Sequence, residues 1–315
     1  MREACVVRSP AKINLSLAVL GQREDGYHEL DTTLLAIDRF DRVEVRRGPR
    51  PAGAGDEVRI SLVGAAATAD VPADASNLAV RAVEPVLALA RERGLLGADT
   101  ALELRLDKSI PSRAGLGGGS SNAAAACYGA ARILGLDPDD ETLASALANI
   151  GSDCPFFLLA RRSGFARCTG HGELVEPLEL PGTGRAFVVV TPDVACSTPE
   201  VYAAWRAGEC GDPPAFDPEV WFRAPLADAR AALRNDLEAA ALRSHPDLLA
   251  FRNRLDDAGG THFRLCGSGS SFFGLFEDSR AAEAFLEDLG VAGKARDHGL
   301  RHAFVARPAT AAVGA

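Results

Sequence analysis

Apolar and polar positions alternate near the start of the chain. Residues 11–19 carry apolar side chains at the odd positions, with Lys12, Asn14 and Ser16 between them. An alternation of period two is typical of a strand with one buried face. The pattern therefore predicts a half-buried β-strand on which Lys12 and Asn14 project to the same side.

A turn and a second extended segment follow this strand. Residues 23–26 are Arg-Glu-Asp-Gly, and an Asp-Gly pair favours the positive φ angles of a tight turn. The extended pattern resumes over residues 27–37, so Tyr27 and His28 are expected where a strand leaves a loop. Further short strands are predicted at residues 42–45, 58–63 and 101–106, and exposed loops at 48–56 and 64–75.

Helical spacing appears first at residues 77–93, in a helix that Pro85 should kink. Asp137 and Pro138 are expected to begin another helix, as its N-cap and first-turn residue, which runs to residue 150. Alternating strands and helices over the rest of the chain predict a layered α/β fold. These are a strand at 186–191, a surface excursion at 206–225, helices at 226–242 and 246–258, a strand at 262–266, a helix at 279–289 and a strand at 302–306.

The size and composition of the chain indicate an ordinary globular protein. Its 315 residues exceed the usual size of one hydrophobic core, so we expect two domains, residues 1–180 and 181–315. Seven cysteines, an odd number without CxxC or zinc-ligand spacing, predict reduced thiols in a cytoplasmic protein. A signal peptide is not expected, and no apolar run approaches the ~20 residues of a membrane span.

The charge distribution bears on possible partners. The formal net charge is −9, and the lysines and arginines are scattered rather than clustered. Affinity for a phosphate backbone rises with clustered cations, so a nucleic-acid partner is not expected. Backbone N–H groups can still bind an anionic nucleotide locally.

A glycine-rich segment carries the clearest chemistry. Gly115 and Gly117–Gly119 directly precede an Ala-rich helix. Glycines allow close backbone approach, and a helix N-terminus offers unpaired N–H groups, so the segment predicts a site for an anion such as phosphate. Ser120 and Ser121 could cap the helix or contact a phosphate oxygen or its Mg²⁺. A flexible loop with an ordinary serine cap explains a bare glycine run equally well, and the segment fits neither the Walker nor the GxGxxG template.

Three segments together resemble the motifs of the GHMP kinases, in the order in which that family has them. They are Ser-Pro-Ala-Lys-Ile-Asn-Leu at 9–15, Gly-Leu-Gly-Gly-Gly-Ser-Ser-Asn-Ala-Ala at 115–124 and Leu-Cys-Gly-Ser-Gly-Ser-Ser-Phe-Phe at 265–273. The resemblance implies an N-terminal domain like part of a ribosomal protein, a ferredoxin-like C-terminal domain and an active site between them. It also implies ATP and Mg²⁺ as cofactors, with metal ligands that the sequence does not identify.

The resemblance assigns the catalytic pair. Asp153 matches the family's aspartate, which accepts the proton of the attacking hydroxyl, and Lys12 matches its lysine. Without the resemblance, Asp153 would be interpreted as a helix cap and Lys12 as a solvated cation. Lysine beside aspartate can offset the charge that develops on a transferred phosphoryl group.

The resemblance also assigns the binding residues. Asn77 matches a family position near the nucleotide base, and Lys108, which precedes the glycine loop, is expected to meet ATP. Asn14, on the same strand face as Lys12, can hydrogen-bond the substrate. Gly267, Ser268 and Gly269 would form an anion nest, although a bulged hairpin turn is an alternative. The ATP-binding loop comprises Pro111, Ser112, Arg113, Ala114, Gly115, Leu116, Gly117, Gly118, Gly119, Ser120 and Ser121.

Asp-Gly-Tyr-His at 25–28 resembles the segment of GHMP kinases that act on a cytidine diphosphate-linked small molecule. The matching residues there recognise cytosine, Tyr27 by stacking and His28 by hydrogen bonds, and Tyr202 stands at a second stacking position. A half-buried pair at a strand start is the alternative for Tyr27 and His28. We therefore expect a small-molecule kinase, monomeric or homodimeric.

Two departures and three competing functions accompany this expectation. Ser112 and Arg113 occupy positions that usually hold smaller residues, and His171 stands where the family commonly has arginine, with no catalytic role assigned to it. The competing functions are a homoserine or mevalonate-type kinase, an inactive binding protein of the same fold and, more distantly, a Rossmann oxidoreductase.

Overall fold

The computed structural model describes residues 3–49, 58–96, 100–211, 216–290 and 299–309. Two sheets organise these residues. The first is built on two long antiparallel strands, β1 (Ala4–Gln22) and β2 (His28–Pro49). Its other strands are β3 (Val58–Val63), β4 (Thr100–Asp107), β5 (Phe165–Gly170), β6 (Leu174–Pro177) and β8 (Arg234–Asn235).

The strand order in the first sheet is β3-β4-β2-β1-β8, and β5 pairs with both β2 and β6. Strand β2 serves two neighbours because it is long, with residues 42–49 beside β4 and residues 30–35 beside β5. Strand β8 runs parallel to β1 and joins residues from the second half of the chain to the first sheet. The boundary between residues 180 and 181 stays a prediction.

Four helices accompany the first sheet. They are α1 (Leu78–Glu92), α2 (Gly118–Leu134), α3 (Glu141–Ala148) and α4 (Cys154–Leu159). Small side chains line α2, and Ala123, Ala124, Ala125 and Ala126 are fully buried. Their size allows close approach, and a side chain added at Gly129 would lie 2.7 Å from Val45 Cγ2. This packing fixes the N-terminus of α2 relative to β1.

The second sheet is fully antiparallel, in the order β11-β7-β10-β9. Every residue of β7 and β10 is buried, because both faces of the sheet are covered. The strands are β7 (Ala186–Pro192), β9 (Arg264–Leu265), β10 (Phe272–Phe276) and β11 (Leu300–Ala306). The remaining helices are α5 (Thr198–Ala204), α6 (Pro218–Arg223), α7 (Leu226–Ala231), α8 (Glu238–Ser244), α9 (Pro246–Asp257) and α10 (Ser279–Asp288).

A continuous apolar cluster joins the two sheets. Ile13 and Leu15 of β1 belong to the same buried cluster as Phe187 of β7 and Phe273 of β10. The predicted strand at residues 11–19 is thus present, but the expectation of one solvated face is wrong. Lys12 and Asn14 are 4% and 3% exposed, because the glycine segments and Asp153 cover the polar face.

Both predicted ends of one helix need correction. The helix expected from Asp137 begins at Glu141, and Asp140 caps it by accepting from Thr142 N at 2.9 Å. Asp137 instead accepts from Asp139 N in the preceding turn. The helix ends at Ala148 rather than residue 150. Adjacent aspartates offer equivalent caps, and sequence alone did not choose between them.

The region after residue 205 also differs from expectation. The predicted helix at 226–242 is divided into α7 and α8 by β8, because Asn235 and Asp236 form bonds outside a helix. The excursion at 206–225 is not wholly at the surface, since Trp221 and Phe222 are 3% and 7% exposed. Their aromatic side chains join the cluster between the sheets.

The strands predicted separately at 27–37 and 42–45 form one continuous strand, β2, and β1 begins seven residues before the predicted start. Strand β9 is shorter than predicted, and the other strand and helix predictions agree with the fold within a few residues. Pro85 lies inside α1. Residues 50–56 of the predicted loop at 48–56 lie outside the described part of the chain, and Gly48 belongs to β2. No helix in the described ranges combines the length and apolar character needed to cross a membrane.

Candidate active site

The polar side chains of β1 form the floor of a cleft. Lys12 Nζ donates to Asn14 Oδ1 at 2.9 Å, and Asn14 Nδ2 donates to Thr32 Oγ1 at 2.9 Å. Lys12 Nζ also lies 3.3 Å from Asp153 Oδ2. The Lys12 side chain is 5% exposed and the Asp153 side chain 31%, so the carboxylate is the member that faces solvent. The fold thus brings together the two residues predicted to be catalytic.

The backbone of Asp153 occupies the N-cap position of α4, but its side chain makes no capping hydrogen bond. Two buried phenylalanines, Phe156 and Phe157, anchor this short helix in the core. The alternative interpretation as a helix cap therefore applies to the position and not to the carboxylate. The Asp153 carboxylate lies free of the helix end, beside Lys12.

The glycine-rich loop meets β1 at the start of α2. Gly117 caps α2 with φ 68°, in the left-handed region that favours glycine. A side chain at Gly117 would lie 2.9 Å from Lys12 Cγ, and Lys12 N donates to Leu116 O at 2.9 Å. The N-terminal N–H groups of α2 therefore begin next to the lysine.

The serine cap considered for this helix is absent. No side chain caps α2, and the hydroxyls of Ser120 and Ser121 lie within its first turn. The buried Ser121 hydroxyl accepts a hydrogen bond from Ser9 Oγ at 2.7 Å, whereas Ser120 lines the cleft. Of the two hydroxyls, Ser120 is the one presented toward a ligand.

Arg113, flagged as a departure, adopts φ 51°, a left-handed conformation unusual for arginine. Ser112 Oγ donates to Asp70 Oδ2 at 2.6 Å, and Arg113 Nε lies 3.9 Å from the same oxygen. The acidic residue Asp70 therefore steadies this part of the loop. Ser112 and Arg113, although larger than the residues usual at these positions, are accommodated because both contact Asp70.

The C-terminal glycine segment packs directly on the first glycine loop. A side chain at Gly115 would lie 1.9 Å from Cys266 O, and Ser271 N donates to Ala114 O at 3.2 Å. Gly267 and Ser268 line the same cleft as Lys12. Distant segments of sequence thus meet backbone to backbone, and glycine is required at the contact.

Aromatic side chains line the far end of the cleft. The rings of His28 and Tyr202 have centroids 4.9 Å apart, and Trp205 meets His28 edge-on at 5.4 Å. Tyr27 is 57% exposed, so its ring is not a core side chain. The fold brings the predicted stacking residues Tyr27, His28 and Tyr202 to one cavity.

His171, noted from the sequence only as a departure from the family pattern, lies beside Tyr27. Its ring stacks on Tyr27 with centroids 4.8 Å apart at 29°, and its Nδ1 lies 2.9 Å from Ser152 Oγ. It lines both the aromatic cavity, formed around Tyr27, His28 and Tyr202, and the central cavity, formed around Lys12 and Asp153. The only available signal was the Gly-His-Gly-Glu segment at 170–173, which the sequence alone did not connect with Tyr27.

Thr198 is a residue that sequence reasoning missed. Its hydroxyl lies 2.7 Å from Ser268 Oγ, and the residue borders all three neighbouring cavities. The cavities share other walls as well. Gly117 and Ser120 line both the central cavity and the glycine-loop cavity, which is the one beside residues 111–120. Tyr202 lines both the central cavity and the aromatic cavity. The three form one cleft with Lys12 and Asp153 in the middle.

Lys108 and Asn77 lie beside the glycine loop, but each has a partner within the protein. Lys108 is 3% exposed, and its ammonium pairs with Asp41 and donates to Asn122 Oδ1 at 2.6 Å. Asn77 caps α1 by accepting from Ala79 N at 2.9 Å and donates to Pro72 O. Both line the cavity of the glycine loop, and their contact with ATP stays a prediction.

Burial shifts two titratable groups at the aromatic end. It lowers the pKa of His28 below its ordinary value of 6.5, so the imidazole is neutral at neutral pH and offers one donor and one acceptor. Burial raises the pKa of Tyr202, first by desolvation and then by the charge of Asp153, so its hydroxyl stays protonated. The aromatic end is thus uncharged at these two groups.

No group of three or more His, Cys, Asp or Glu side chains that could hold a metal ion occurs within the described ranges. Magnesium commonly keeps several waters and binds through one or two carboxylates together with phosphates. The Ser120 hydroxyl, which lines the central cavity, is an oxygen ligand that suits such a set. The donor set therefore fits a Mg²⁺ ion held largely by nucleotide phosphates.

Family models and relatives agree with this geometry. The model of the GHMP kinases N terminal domain matches residues 77–161, and that of the GHMP kinases C terminal matches residues 222–294. A 4-diphosphocytidyl-2-C-methyl-D-erythritol kinase of Pelotomaculum thermopropionicum is 38% identical over 86% of this chain and 89% of its own. The chain belongs to the GHMP kinase family, in its 4-diphosphocytidyl-2-C-methyl-D-erythritol kinase branch.

Other relatives of this GHMP kinase support the same placement. The chloroplastic 4-diphosphocytidyl-2-C-methyl-D-erythritol kinase of Oryza sativa subsp. japonica is 34% identical over 89% of this chain and 66% of its own. A crystal structure of 4-(cytidine 5'-diphospho)-2C-methyl-D-erythritol kinase superposes with a TM-score of 0.73 and 32% identity, covering 96% and 98% of the two chains. The predicted two-part GHMP kinase fold is confirmed.

A homoserine kinase structure from Cytophaga hutchinsonii has a TM-score of 0.67 at 18% identity, covering 100% of this chain and 98% of its own. That likeness shows the fold alone. The family is one of kinases and implies the use of ATP. The expectation of a kinase is therefore confirmed, and the Rossmann oxidoreductase is excluded.

Proposed function

We propose that this GHMP kinase transfers the γ-phosphate of ATP to the 2-hydroxyl of 4-diphosphocytidyl-2-C-methyl-D-erythritol, in the non-mevalonate route to isoprenoid precursors. The products are the 2-phosphate and ADP. The observation that carries the proposal is the order of parts in one cleft, with Lys12 and Asp153 between the glycine loop and the Tyr27–His28 end. A substrate with a cytosine base at one end and a hydroxyl at the other matches that order.

The chemical step is a direct in-line displacement. Asp153 accepts the proton of the 2-hydroxyl as its oxygen forms a bond to the γ-phosphorus. The bond from that phosphorus to the bridging oxygen breaks, and ADP leaves with the bond's electron pair. Lys12, 3.3 Å from Asp153, supplies positive charge beside the attacking and leaving oxygens. Asn14 holds Lys12 in place at 2.9 Å and offers its own polar atoms to the acceptor.

The glycine loop supplies the nucleotide site. The first-turn N–H groups of α2 and the positive φ of Gly117 suit a phosphate, since a helix N-terminus attracts anions. The loop comprises Pro111–Ser121, and Lys108 and Asn77 are proposed to border the nucleotide. Mg²⁺ bound with ATP would neutralise phosphate charge, with the Ser120 hydroxyl as an oxygen ligand from the protein side.

The acceptor site extends from Asn14 to the aromatic cavity. Tyr27 is proposed to stack on cytosine, His28 to hydrogen-bond its edge and Tyr202 to close the other side. Gly267, Ser268 and Gly269 are proposed to bind the diphosphate through backbone N–H groups. The neutral state of His28 at neutral pH suits hydrogen bonding to a neutral base.

The first experiment measures ADP release with the cytidyl substrate, homoserine and mevalonate phosphate. We expect turnover with the cytidyl substrate only. Turnover restricted to homoserine or mevalonate phosphate would replace the substrate assignment, and no turnover with any acceptor would favour an inactive binding protein.

A second experiment tests the cytosine end. Tyr27→Ala should raise the Kd of the cytidyl substrate about 5- to 150-fold, because stacking on a base contributes ~1–3 kcal/mol, while Tyr27→Phe costs little. The Kd of ATP should stay constant. Because Tyr27 is 57% exposed, its truncation should have little effect on thermal stability. Lower thermal stability with unchanged affinity for the cytidyl substrate would show that cytosine binds elsewhere.

The cytoplasmic location and the absence of nucleic-acid partners remain our proposals, as does a monomeric or homodimeric state. Size-exclusion chromatography with light scattering would test the last.

A further inference from the structure

Asn235 links the two halves of the cleft by a set of buried hydrogen bonds. Its Nδ2 donates to Leu265 O at 2.8 Å and to Gly267 O at 2.7 Å. Its Oδ1 accepts from Leu237 N at 2.9 Å. The residue is 7% exposed, so these bonds are shielded from competing water. Both amide hydrogens are used, and both hold the backbone leading into the C-terminal glycine segment.

The backbone of Asn235 is in turn fixed to the strand of the catalytic lysine. Asn235 pairs with Leu17 in the parallel β1–β8 ladder. The next residue, Asp236, donates its N–H to Leu17 O at 3.0 Å and accepts from Val19 N at 3.0 Å. Asn235 therefore lies on β8 directly beside β1, and its side chain ends on the glycine segment.

Gly267, which Asn235 holds, lies close to Lys12 and Asn14 and has little room to move. A side chain added at Gly267 would lie 3.3 Å from Lys12 Nζ and 3.6 Å from Asn14 Oδ1. Because C=O and N–H of one peptide plane point in opposite directions, a Gly267 carbonyl held by Asn235 turns the N–H of Ser268 away from β8. The orientation of this peptide next to Lys12 thus depends on one amide.

We propose that Asn235 is a positioning residue, which sets the distance and peptide orientation of the Gly267–Gly269 segment relative to Lys12 and Asn14. It acts on the acceptor side of the reaction. Gly267 and Ser268 line the central cavity, whereas Gly267 and Asn235 are not among the residues that line the glycine-loop cavity. The proposal rests on the proposed function for the identity of the acceptor and deepens it.

The decisive variant is Asn235→Asp. It keeps the shape and the acceptor for Leu237 N but places an oxygen against two carbonyl oxygens, which repels the glycine segment. We expect the Kd of the cytidyl substrate to rise and kcat to fall, each about tenfold or more, because buried donors to two carbonyls are lost. The Kd of ATP should rise by a smaller factor than the Kd of the cytidyl substrate, because the same segment also packs on the ATP loop at Gly115.

Asn235→Ser provides a milder variant if the aspartate variant does not fold. A serine hydroxyl is too short to reach both carbonyls, so the Kd of the cytidyl substrate should rise here too, but by a smaller factor. Arg252→Gln is the matched control, since Arg252 is also buried and donates to two carbonyls, Phe263 O at 2.7 Å and Thr261 O at 3.2 Å, ahead of β9. It should lower Tm without changing the Kd of either substrate.

Equal loss of ATP and acceptor affinity, or unchanged acceptor Kd and kcat in folded Asn235 variants, would overturn the positioning role. Failure of the proposed function has a different signature, because wild-type protein would then release no ADP with the cytidyl substrate. In that event the same variants are measured with whichever acceptor does give turnover, and the acceptor-specific effect is still expected.

Discussion

Two buried lysines in this kinase each pair with an aspartate, and the pairs differ in what surrounds the carboxylate. Asp153 beside Lys12 is 31% exposed and makes no capping bond. Asp41 beside Lys108 is fully buried, and its Oδ1 accepts from Ser109 N and Ile110 N at 2.6 and 2.8 Å. Asn122 Nδ2 adds a third donor at 3.0 Å to its Oδ2.

We infer from this difference that the two pairs serve different purposes. A carboxylate saturated by donors and closed to solvent has no lone pair left for a substrate proton, so it stabilises structure. A carboxylate that faces a cleft beside a single cation can accept a proton. The spacing of lysine and aspartate does not distinguish the two pairs, whereas the exposure of the carboxylate and the number of donors to it do.

The largest expected effect separates the pairs by activity. Asp153→Asn should lower kcat by about 10²–10⁴, the range for loss of a general base, while Tm and the Kd of ATP stay near wild type. Kinetics by coupled ADP release, with calorimetry for ATP, give both values. Activity within a few-fold of wild type would remove Asp153 from the role of base.

Asp41→Asn should act on stability instead. It leaves the Lys108 ammonium buried without its counter-charge, which costs about 3–5 kcal/mol of unfolding free energy. The control is Asp31→Asn, which breaks the more exposed pair with Arg167 and should cost less than about 1 kcal/mol. Denaturant unfolding measures both. An Asp41 variant as stable as the control would show that the interior pair is not structural.

A half-buried histidine predicts that the unfolding free energy depends on pH. Burial, then the charges of Arg230, Arg264 and Arg252, lower the pKa of His262 from 6.5 to about 4. The unfolded chain takes up this proton first, so the unfolding free energy should fall as pH decreases from 6.5 towards about 4. His262→Phe should flatten this part of the profile of unfolding free energy against pH. An identical slope in wild type and variant would contradict the assignment.

The smallest effect is expected when the interior pair is replaced as a whole. Lys108→Met with Asp41→Asn removes both charges together, while the amide oxygen still accepts from Ser109 N and Ile110 N, and no buried charge is left without a partner. If Lys108 is structural only, the Kd of ATP stays constant in this double variant. A clear rise in that Kd, in protein that remains folded, would instead support the predicted contact between Lys108 and ATP.

Much of this fold follows from local sequence patterns. The alternation at residues 11–19 predicted the central part of β1, and strand β3 matches its predicted bounds. Local signals failed where equivalent residues competed, as at Asp137 and Asp140. They also failed at Asn235, where bonds to distant backbone groups interrupt the predicted helix at 226–242.

The sequence by itself determined the family, the glycine loop and the pairing of Lys12 with Asp153 as a hypothesis, because motifs carry residue type and order. Only the tertiary structure decided that Lys108 is engaged by Asp41, that His171 stacks on Tyr27 and that Asn235 holds Gly267. Each of these contacts joins residues at least 32 positions apart, and Lys108 and Asp41 lie 67 apart. Such contacts depend on how sheets and helices pack, which no short segment of sequence encodes.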